Sequence, residues 1–236
     1  LITVRGDRLL READIAIYAG SLVNKELLSI TKPECEIYDS AKMTLDQVPA
    51  VMVPNKEKKI VRLHTGDPSI YGAIREQMDR LKEEGIEYEV CPGVSSMCGA
   101  AAALKAEYTL PDVSQTVIVT RMAGRTPVPE RENIRSLAAH HATMVIFLSS
   151  GMTEKLKAEL IAGGYEETTP CAIVYKATWP EQKVIRGVLK ELPEMAKENN
   201  ITKTALIVVG DFLGDDYELS KLYDPSFATE YREASK

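Results

Sequence analysis

Short apolar segments alternate with amphipathic segments along almost the whole chain, and this alternation is the feature that most constrains its fold. In the first half, DIAIYAG, IVRLHTG and EYEVCPG have the composition of buried strands, whereas YGAIREQMDRLKEEG and SSMCGAAAALKAE have helical patterns. Strands that alternate with helices form parallel sheets covered by those helices. The sequence therefore predicts an α/β protein with mainly parallel or mixed sheets.

The alternation is interrupted once, at YTLPDVSQ, residues 108–115. Periodicity fails there, a proline intervenes, and a new strand, TVIVTR, follows. We therefore predict two α/β lobes, residues 1–110 and 116–236, joined by a linker at 111–115. In the second lobe, strands are predicted at TMVIFLSS, PCAIVYKAT, KVIRGVL and TALIVVGDFL, and helices at RENIRSLAAHH, at TEKLKAELIAGG and in a segment ending near Asn200.

The front of the chain lacks an initiator methionine. It opens with LIT, and a helical pattern with Leu1, Val4, Leu9 and Leu10 on one face starts at once, so we expect that a segment upstream is missing from this sequence. Residues 49–54, PAVMVP, lie where a helix should precede the strand IVRLHTG, but their two prolines oppose a regular helix.

Composition and charge narrow the class of protein. No apolar run approaches the ~20 residues of a membrane-spanning helix, and no secretory leader pattern is present. The formal charge of −6 disfavours broad electrostatic binding of nucleic acid. The four cysteines form no CxxC pair and no metal-ligand spacing, which is typical of buried thiols in a reducing compartment. We therefore expect a cytoplasmic location and no metal site.

The segment HTGDPSIYG, residues 64–72, has two interpretations. Asp67 and Pro68 are favoured at the first positions of a helix, so the segment predicts a helix start with the carboxylate as its cap. The segment also follows the carboxyl end of a predicted parallel strand, where open α/β sheets bind ligands. Thr65 and Gly66 would then let the backbone approach a ligand closely.

A second segment, CPGVSSMCGAAAA, residues 91–103, repeats this arrangement. A predicted strand leads into a Pro-Gly turn, and hydroxyl residues then open a helix. Ser95 and Ser96 either cap that helix or contact a ligand, and the residues alone leave both interpretations open. Two such loops indicate a ligand site more strongly than either loop does alone.

These segments, taken in order, resemble a known family. VRLHTGDPSIYG and YEVCPGVSS resemble the paired motifs of the tetrapyrrole methylases. TVIVTRMAGRTPVPE and IVYKATWPEQKVIRG resemble most closely the branch that methylates carbon 11 of precorrin-4 or cobalt-precorrin-4 in cobalamin synthesis. The resemblance runs through nearly the whole chain. Family members open with a strand and a Gly-Pro-Gly-Asp-Pro loop directly ahead of LIT, so the resemblance implies that these are the missing upstream elements.

The resemblance carries a fold, a cofactor and a set of contacts. It implies a tetrapyrrole methylase fold of two α/β lobes with a cofactor cleft between them, S-adenosylmethionine as methyl donor with S-adenosylhomocysteine as product, a tetrapyrrole substrate, and a homodimer. The residues that it implies for cofactor binding are Thr65, Gly66, Asp67, Ile70, Ser95, Ser96, Leu148, Ala177 and, more weakly, Val209. Interpreted alone, Leu148 is a core strand residue, and Ala177 is small because the turn before Trp179 is tight.

The substrate requires cations, because a precorrin carries many carboxylates. Arg121 and Arg125 flank a glycine in a predicted loop, and Lys176 lies beside the second cofactor turn, so these three are the predicted substrate contacts. Arg131 and Arg135, four residues apart on a predicted helix, are more typical of a solvated face.

No catalytic acid or base is predicted, since methyl transfer from a sulfonium to an electron-rich carbon depends mainly on positioning and desolvation. His64 is interpreted as a structural residue at a strand end, and His140 and His141 as the close of a helix. Two other functions stay open: a methyltransferase of the same fold that acts on RNA or a protein side chain, and a cofactor-binding or structural role for a shortened chain. Whether the ring carries cobalt also stays open, and we favour the cobalt-bearing form.

Overall fold

The computed structural model describes residues 1–20 and 22–235, and the chain folds into two compact units, Leu1–Gly99 and Ala100–Lys236. The first unit contains α1 (Val4–Glu12), β1 (Ile15–Tyr18), β2 (Glu36–Asp39), α2 (Gln47–Met52), β3 (Ile60–Leu63) and α3 (Ile74–Glu83). Helix α4 (Ser96–Leu104) begins in the first unit and ends in the second. The second unit continues with β4 (Val117–Arg121), α5 (Ile134–Ala138), β5 (Thr143–Phe147), α6 (Thr153–Ala162), β6 (Pro170–Tyr175), β7 (Lys183–Val188), α7 (Leu192–Glu198) and β8 (Ala205–Val209). The predicted α/β class is confirmed.

A parallel three-stranded sheet, in the order β2-β1-β3, forms the centre of the first unit. All four residues of β1 are buried, and Ile15 and Ile17 pack with Val48 and Met52 of α2. A parallel strand buried on both faces has an almost continuous apolar sequence, which is why β1 was predictable. The short edge strand β2 has the sequence EIYD, of which Glu36 and Ile37 are exposed, and it was not predicted because it has no such apolar pattern.

Residues 87–91 belong to neither of the two sheets that the described residues form, so the strand predicted at EYEVCPG is wrong. A strand exists only where a neighbouring backbone takes its N–H and C=O groups, and apolar composition cannot supply that neighbour. The segment is held instead by the start of α1. The Thr3 hydroxyl donates to the Pro92 carbonyl at 3.2 Å, and Arg5 pairs with Glu89 at 2.5 Å.

Helix α1 confirms the helical pattern at the front of the chain, but not all of its predicted apolar face. The helix begins at Val4 because the Thr3 hydroxyl accepts a hydrogen bond from the Gly6 N–H at 3.1 Å. Leu10 is fully buried, whereas Leu1 and Val4 are 74% and 90% exposed. A helix buries only the stripe that faces its neighbours, and Leu1 lies before the first turn.

Helix α3 begins only at Ile74, so the helix start predicted at Asp67 and Pro68 is wrong. Tyr71 and Ala73 have positive φ values of 56° and 49°, which a right-handed helix excludes.

Helix α2 forms despite its proline and passes into a short 3₁₀ turn, Val53–Asn55. Proline is tolerated near the start of a helix because the N–H groups there have no partner within the helix.

A mixed five-stranded sheet, in the order β4-β5-β8-β6-β7, forms the centre of the second unit. Strands β4 and β5 are parallel, and β8 runs antiparallel to both β5 and β6. Met144, Ile146, Ile173 and Ile207 are fully buried in its core. The carboxyl ends of β4, β5 and β6 and the amino end of β8 therefore lie along one edge of this sheet.

The segment predicted as a linker, residues 111–115, contains a hydrogen-bonded turn. The N–H groups of Val113 and Ser114 donate to the Leu110 carbonyl, and the Ser114 hydroxyl accepts from the Thr143 N–H at 3.0 Å. That this segment separates two domains stays a prediction.

Among the helices of residues 1–20 and 22–235, none combines the length and apolarity needed to cross a membrane.

Candidate functional site

The loop that follows β3 in the first unit contains four of the predicted site residues: Thr65, Gly66, Asp67 and Ile70. Thr65 is exposed, and Ile70 is half-buried in a turn closed by a hydrogen bond from its N–H to the Asp67 carbonyl. Gly66 has a left-handed backbone, with φ of 62°. A Cβ at Gly66 would lie 3.4 Å from the backbone nitrogen of Ser96, so this loop lies against the start of α4.

The carboxylate of Asp67 links two loops and does not cap a helix. Its Oδ1 accepts hydrogen bonds from the Ser69 N–H, at 2.9 Å, and from the Ser69 hydroxyl. Its Oδ2 accepts from the Gly93 N–H at 2.9 Å. These bonds, the one from the Ser69 hydroxyl first, lower the pKa of Asp67. Three hydrogen bonds from the protein's own donors thus already engage the Asp67 carboxylate, and its contact with the cofactor stays a prediction.

The two loops approach each other so closely that a side chain is excluded between them. A Cβ placed on Gly93 would lie 1.9 Å from the Gly66 carbonyl oxygen. The glycine of CPGVSS is thus required by packing against the GDP segment. Both segments were predicted as ligand loops, and the structure brings them into direct contact.

Ser95 and Ser96 differ in what they can do. Ser95 is only 8% exposed, and its hydroxyl accepts a hydrogen bond from the Met97 N–H at 3.4 Å. It thereby stabilises the first turn of α4, as the capping interpretation predicts. Ser96, the first residue of α4, is exposed. Of the two hydroxyls, that of Ser96 is the more accessible to a ligand.

His64 lies directly after β3, between this loop and the sheet. Burial and the nearby Arg62 guanidinium lower the pKa of His64 to about 4. Arg62 itself donates to the Ile17 carbonyl at 3.1 Å and to Gln77 of α3 at 3.1 Å. His64 is therefore neutral at pH 7 and has the structural position that the sequence predicts.

Leu148 follows β5 at the carboxyl-end edge of the second sheet. It is 61% exposed and has a left-handed φ of 52°. The core position expected for this leucine from its strand context is wrong. An exposed leucine with positive φ is strained, and such residues concentrate at binding and catalytic sites. The next residue, Ser149, is fully buried, and its hydroxyl accepts from the Met122 N–H at 2.9 Å and donates to the Phe147 carbonyl at 2.6 Å.

Ala177 lies at the same edge, after β6. Its neighbours Lys176 and Thr178 both have left-handed backbones, with φ of 45° and 71°. The Lys176 N–H donates to the Thr204 carbonyl at 2.9 Å, and Thr204 is left-handed as well, with φ of 57°. The structure therefore brings Ala177 close to the amino end of β8.

Val209 is not brought to this edge. It is fully buried at the carboxyl end of β8, where it pairs with Met144 and Cys171 near the amino ends of their strands. Leu148 lies four residues after Met144 and Ala177 six residues after Cys171, which at 3.3 Å per residue is roughly 13 Å and roughly 20 Å along those strands. Val209 therefore lies at the opposite end of β8 from Leu148 and Ala177, and its contact with the cofactor stays a prediction. Thr204, which directly precedes β8, lies at the end near Ala177.

The three predicted substrate cations have different environments. Lys176 pairs with Glu181 at 3.1 Å, which raises the pKa of Lys176, and its ammonium lies 4.9 Å from the centre of the Trp179 ring. Arg121 donates to the backbone carbonyls of the loop that follows it. Arg125 lies in that loop and is exposed, with no hydrogen bond or ion pair to the residues that the structure describes. Of the three predicted contacts, Arg125 is the most available to a ligand.

His140 and His141 lie just after α5. His140 and His141 close α5 through N–H bonds to the Leu137 and Ala138 carbonyls, as predicted. Within the described ranges, no group of three or more His, Cys, Asp or Glu residues has the arrangement of a metal site.

Comparison with known proteins identifies the family. The family model of the tetrapyrrole (corrin/porphyrin) methylases matches residues 1–193, more than half of the chain. The chain belongs to the tetrapyrrole methylases. This methylase is 55% identical, over its whole length, to the cobalt-precorrin-4 C(11)-methyltransferase of Methanocaldococcus jannaschii, of which it covers 92%. It is 46% identical to the protein of the same name from Priestia megaterium, with 100% of this chain and 94% of that protein covered.

A solved structure supports the tetrapyrrole methylase fold. The X-ray structure of a cobalt precorrin-4 methyltransferase superimposes with a TM-score of 0.89, at 47% identity, and covers 91% of each chain. The sequence did not predict the hydrogen bonds that Ser149 and Thr204 form beside Leu148 and Ala177. Ser149 was part of the strand segment TMVIFLSS, and nothing in that pattern distinguishes a hydroxyl that joins two strand ends from one that faces solvent.

Proposed function

We propose that the chain transfers the methyl group of S-adenosylmethionine to carbon 11 of cobalt-precorrin-4. The observation that carries this proposal is the identity of 55% and 46%, over the full chain, to two proteins named for that reaction. The cobalt-free substrate, precorrin-4, is the alternative, since a protein named for it in Pseudomonas aeruginosa is 40% identical over 98% of this chain. The higher identities favour the cobalt-bearing ring.

The loops of the first unit fit a ligand of this kind. Gly66 and Gly93 bring two backbone segments together without side chains, and the exposed hydroxyls of Thr65 and Ser96 stand on those segments. The amino end of α4 favours negative charge, and S-adenosylmethionine carries a carboxylate. We propose that Thr65, Gly66 and Ser96 contact the donor, that Ile70 borders it, and that Asp67 and Ser95 hold the loops in shape.

In the second unit, the proposed donor contacts are Leu148 and Ala177. Leu148 presents an apolar side chain to solvent from a strained backbone, an arrangement that a stable fold retains only where the surroundings enforce it. Ala177 lies in a turn between two left-handed residues. Its backbone N–H and C=O groups therefore take no part in the hydrogen bonds between strands. An apolar surface and free backbone groups suit a nucleoside.

S-adenosylmethionine supplies an electrophilic methyl group when bound, so the protein's task is to bind, orient and exclude water. No residue of this chain is assigned a proton-transfer role, and His64 is neutral at pH 7 because its pKa is about 4. Arg125 is the proposed contact for a carboxylate of the ring. Lys176 can serve as a second contact if it exchanges Glu181 for a substrate carboxylate.

Location and assembly are part of the same proposal. By resemblance to the family we propose a cytoplasmic homodimer that binds neither nucleic acid nor membranes. Light scattering coupled to size-exclusion chromatography measures the assembly directly, and a monomer at micromolar concentration would contradict it.

The test is anaerobic incubation with methyl-labelled S-adenosylmethionine and either cobalt-precorrin-4 or precorrin-4, read by mass spectrometry of the ring. We expect one labelled methyl group, located at carbon 11, and a preference for the cobalt-bearing ring. A preference for the cobalt-free ring would reassign the chain to the oxygen-dependent route. Transfer to neither ring would reject the proposed function.

A further inference from the structure

The loop that follows β4, residues 122–127, is held at both of its ends by one side chain. Nη1 of Arg121 donates to the Met122 carbonyl and to the Thr126 carbonyl, each at 3.2 Å. Nη2 donates to the Pro127 carbonyl at 2.7 Å. The guanidinium therefore bridges the first residue of the loop and its last two.

This bridge reduces the capacity of Arg121 to bind a ligand. The planar guanidinium has five N–H donors in a fixed fork, and both of its terminal nitrogens are already directed at backbone carbonyls. Three of the five N–H groups are used, so a carboxylate that displaces no carbonyl has only the Nε–H and the second Nη2–H to bind. A carboxylate that bound both terminal nitrogens would displace at least one carbonyl, which would then need another partner.

The base of the loop is fixed as well. The Met122 side chain is buried, and the Met122 N–H donates to the buried hydroxyl of Ser149 at 2.9 Å. Ser149 directly follows Leu148, so the loop is hydrogen-bonded to the turn that carries a proposed donor contact. Residues 123–127, in contrast, are all exposed. The loop thus has a base that is fixed by hydrogen bonds and a tip that is exposed. Arg125 is the cation on that tip.

We propose that Arg121 is a positioning residue, and that it acts through Arg125 by holding loop 122–127 in the shape that presents Arg125 to a carboxylate of the substrate. This assignment rests on the proposed function only in the identity of the substrate. The separation of roles follows from the contacts: Arg121 binds the protein's own carbonyls, and Arg125 binds nothing among the described residues.

Limited trypsin digestion tests the positioning role without any substrate. Trypsin cleaves after Arg125 only when the loop opens, and the product is a fragment that begins at Thr126. We expect Arg121→Gln to raise the rate of this cleavage about tenfold, the effect of losing roughly 1.4 kcal/mol of loop stability. Arg131→Gln is the matched control, because Arg131 is exposed and its side chain pairs, among the described residues, with its neighbour Glu132 alone, at 3.5 Å. An unchanged cleavage rate in Arg121→Gln would overturn the positioning role.

A double-mutant cycle tests whether Arg121 acts through Arg125. Arg125→Gln should raise the KM for the tetrapyrrole about tenfold, with the KM for S-adenosylmethionine unchanged. Arg121→Gln should raise the same KM, and the double variant should be no worse than Arg125→Gln alone, because the two residues serve one contact. Multiplicative effects in the double variant would mean two independent contacts and would overturn the proposal.

The conservative variant Arg121→Lys separates charge from shape. Lysine keeps the positive charge, but a single ammonium cannot reproduce the fork that spans Met122, Thr126 and Pro127. We expect Arg121→Lys to behave like Arg121→Gln in both experiments. Full recovery of the tetrapyrrole KM by lysine would show that Arg121 acts by its charge on the substrate. If no variant, nor the parent, methylates either ring, the proposed function fails while the trypsin result still decides the role of Arg121.

Discussion

The Asp67 carboxylate accepts a hydrogen bond from the Gly93 backbone N–H at 2.9 Å, and so joins the loop after β3 to the loop before α4. The contact lies where a Cβ on Gly93 would meet the Gly66 carbonyl oxygen. Neither loop is part of a regular element, and each depends on the other for its shape. The proposed donor contacts of the first unit therefore depend on a link that is itself not a donor contact.

Asp67→Asn should weaken this link. The amide keeps one acceptor oxygen but places an NH₂ group against an N–H or hydroxyl donor, from either Gly93 or Ser69. We expect the free energy of unfolding to fall by about 1–3 kcal/mol and the affinity for S-adenosylhomocysteine to fall about tenfold, measured by urea unfolding and calorimetry. Asp79→Asn, at an exposed carboxylate on α3 that pairs with Arg75, is the control. Lower stability with unchanged affinity would limit Asp67 to a purely structural role.

Gly93→Ala adds a single methyl group, yet it should disturb the contact between the two loops. The added methyl group would lie 1.9 Å from the Gly66 carbonyl oxygen, so one of the two backbones must move. We expect a loss of S-adenosylhomocysteine binding and a melting temperature lowered by several degrees, since overpacking costs about 1–3 kcal/mol. Gly124→Ala is the matched control, because its nearest contact would be the flexible end of Met152 at 3.5 Å. Normal binding by Gly93→Ala would show that the loops do not need this close approach.

Leu148→Gly should separate stability from binding. Glycine adopts the left-handed backbone without strain, and Leu148 is 61% exposed, so little buried surface is lost. We expect the free energy of unfolding to rise by about 1 kcal/mol while the affinity for S-adenosylhomocysteine falls. Leu148→Ala removes the same contact but retains the strain, so it should bind equally weakly without the gain in stability. Unchanged affinity in both variants would exclude the leucine side chain from the donor site.

His64 should make the protein sensitive to mild acid. Its pKa in the folded chain is about 4, below the ordinary value of 6.5, so the unfolded chain binds the proton more readily. Stability is therefore complete above pH 6.5 and is lost as the pH falls towards 4. Between pH 7 and pH 5 we expect His64 to account for roughly 2 kcal/mol of lost unfolding free energy.

Urea unfolding of His64→Asn measures this contribution. The variant should be less sensitive than the parent to a change from pH 7 to pH 5. His140→Asn, at an exposed position, is the matched control and should follow the parent. Identical pH dependence in His64→Asn and the parent would show that His64 is not the group responsible.

The elements that could be predicted are those whose residues carry their own periodicity. Strands β1, β5, β6 and β8 are mainly apolar runs bounded by turn residues, and several of the helices are amphipathic or capped. The failures occurred where a local preference met a tertiary constraint. Asp67 and Pro68 favour a helix start, but the Asp67 carboxylate accepts hydrogen bonds from Ser69 and Gly93. The helix begins only at Ile74.

The candidate site was found through its motifs and through family resemblance, yet the roles within it came from three-dimensional contacts. The sequence placed Asp67, Arg121 and Lys176 among ligand contacts, whereas the structure shows each of them bonded to the protein itself. A motif records which residue types occur together. It does not record which donors and acceptors are already satisfied.

By itself, the sequence determined the α/β class, the positions of the strand-end loops and the family, because periodicity and short motifs are properties of contiguous residues. Only the tertiary structure decided that Leu148 is exposed, that Val209 lies at the far end of its strand, and that residues 87–91 join no described sheet. The physical reason is that strand pairing, register and burial depend on neighbours distant along the chain. A residue's own segment cannot specify those neighbours.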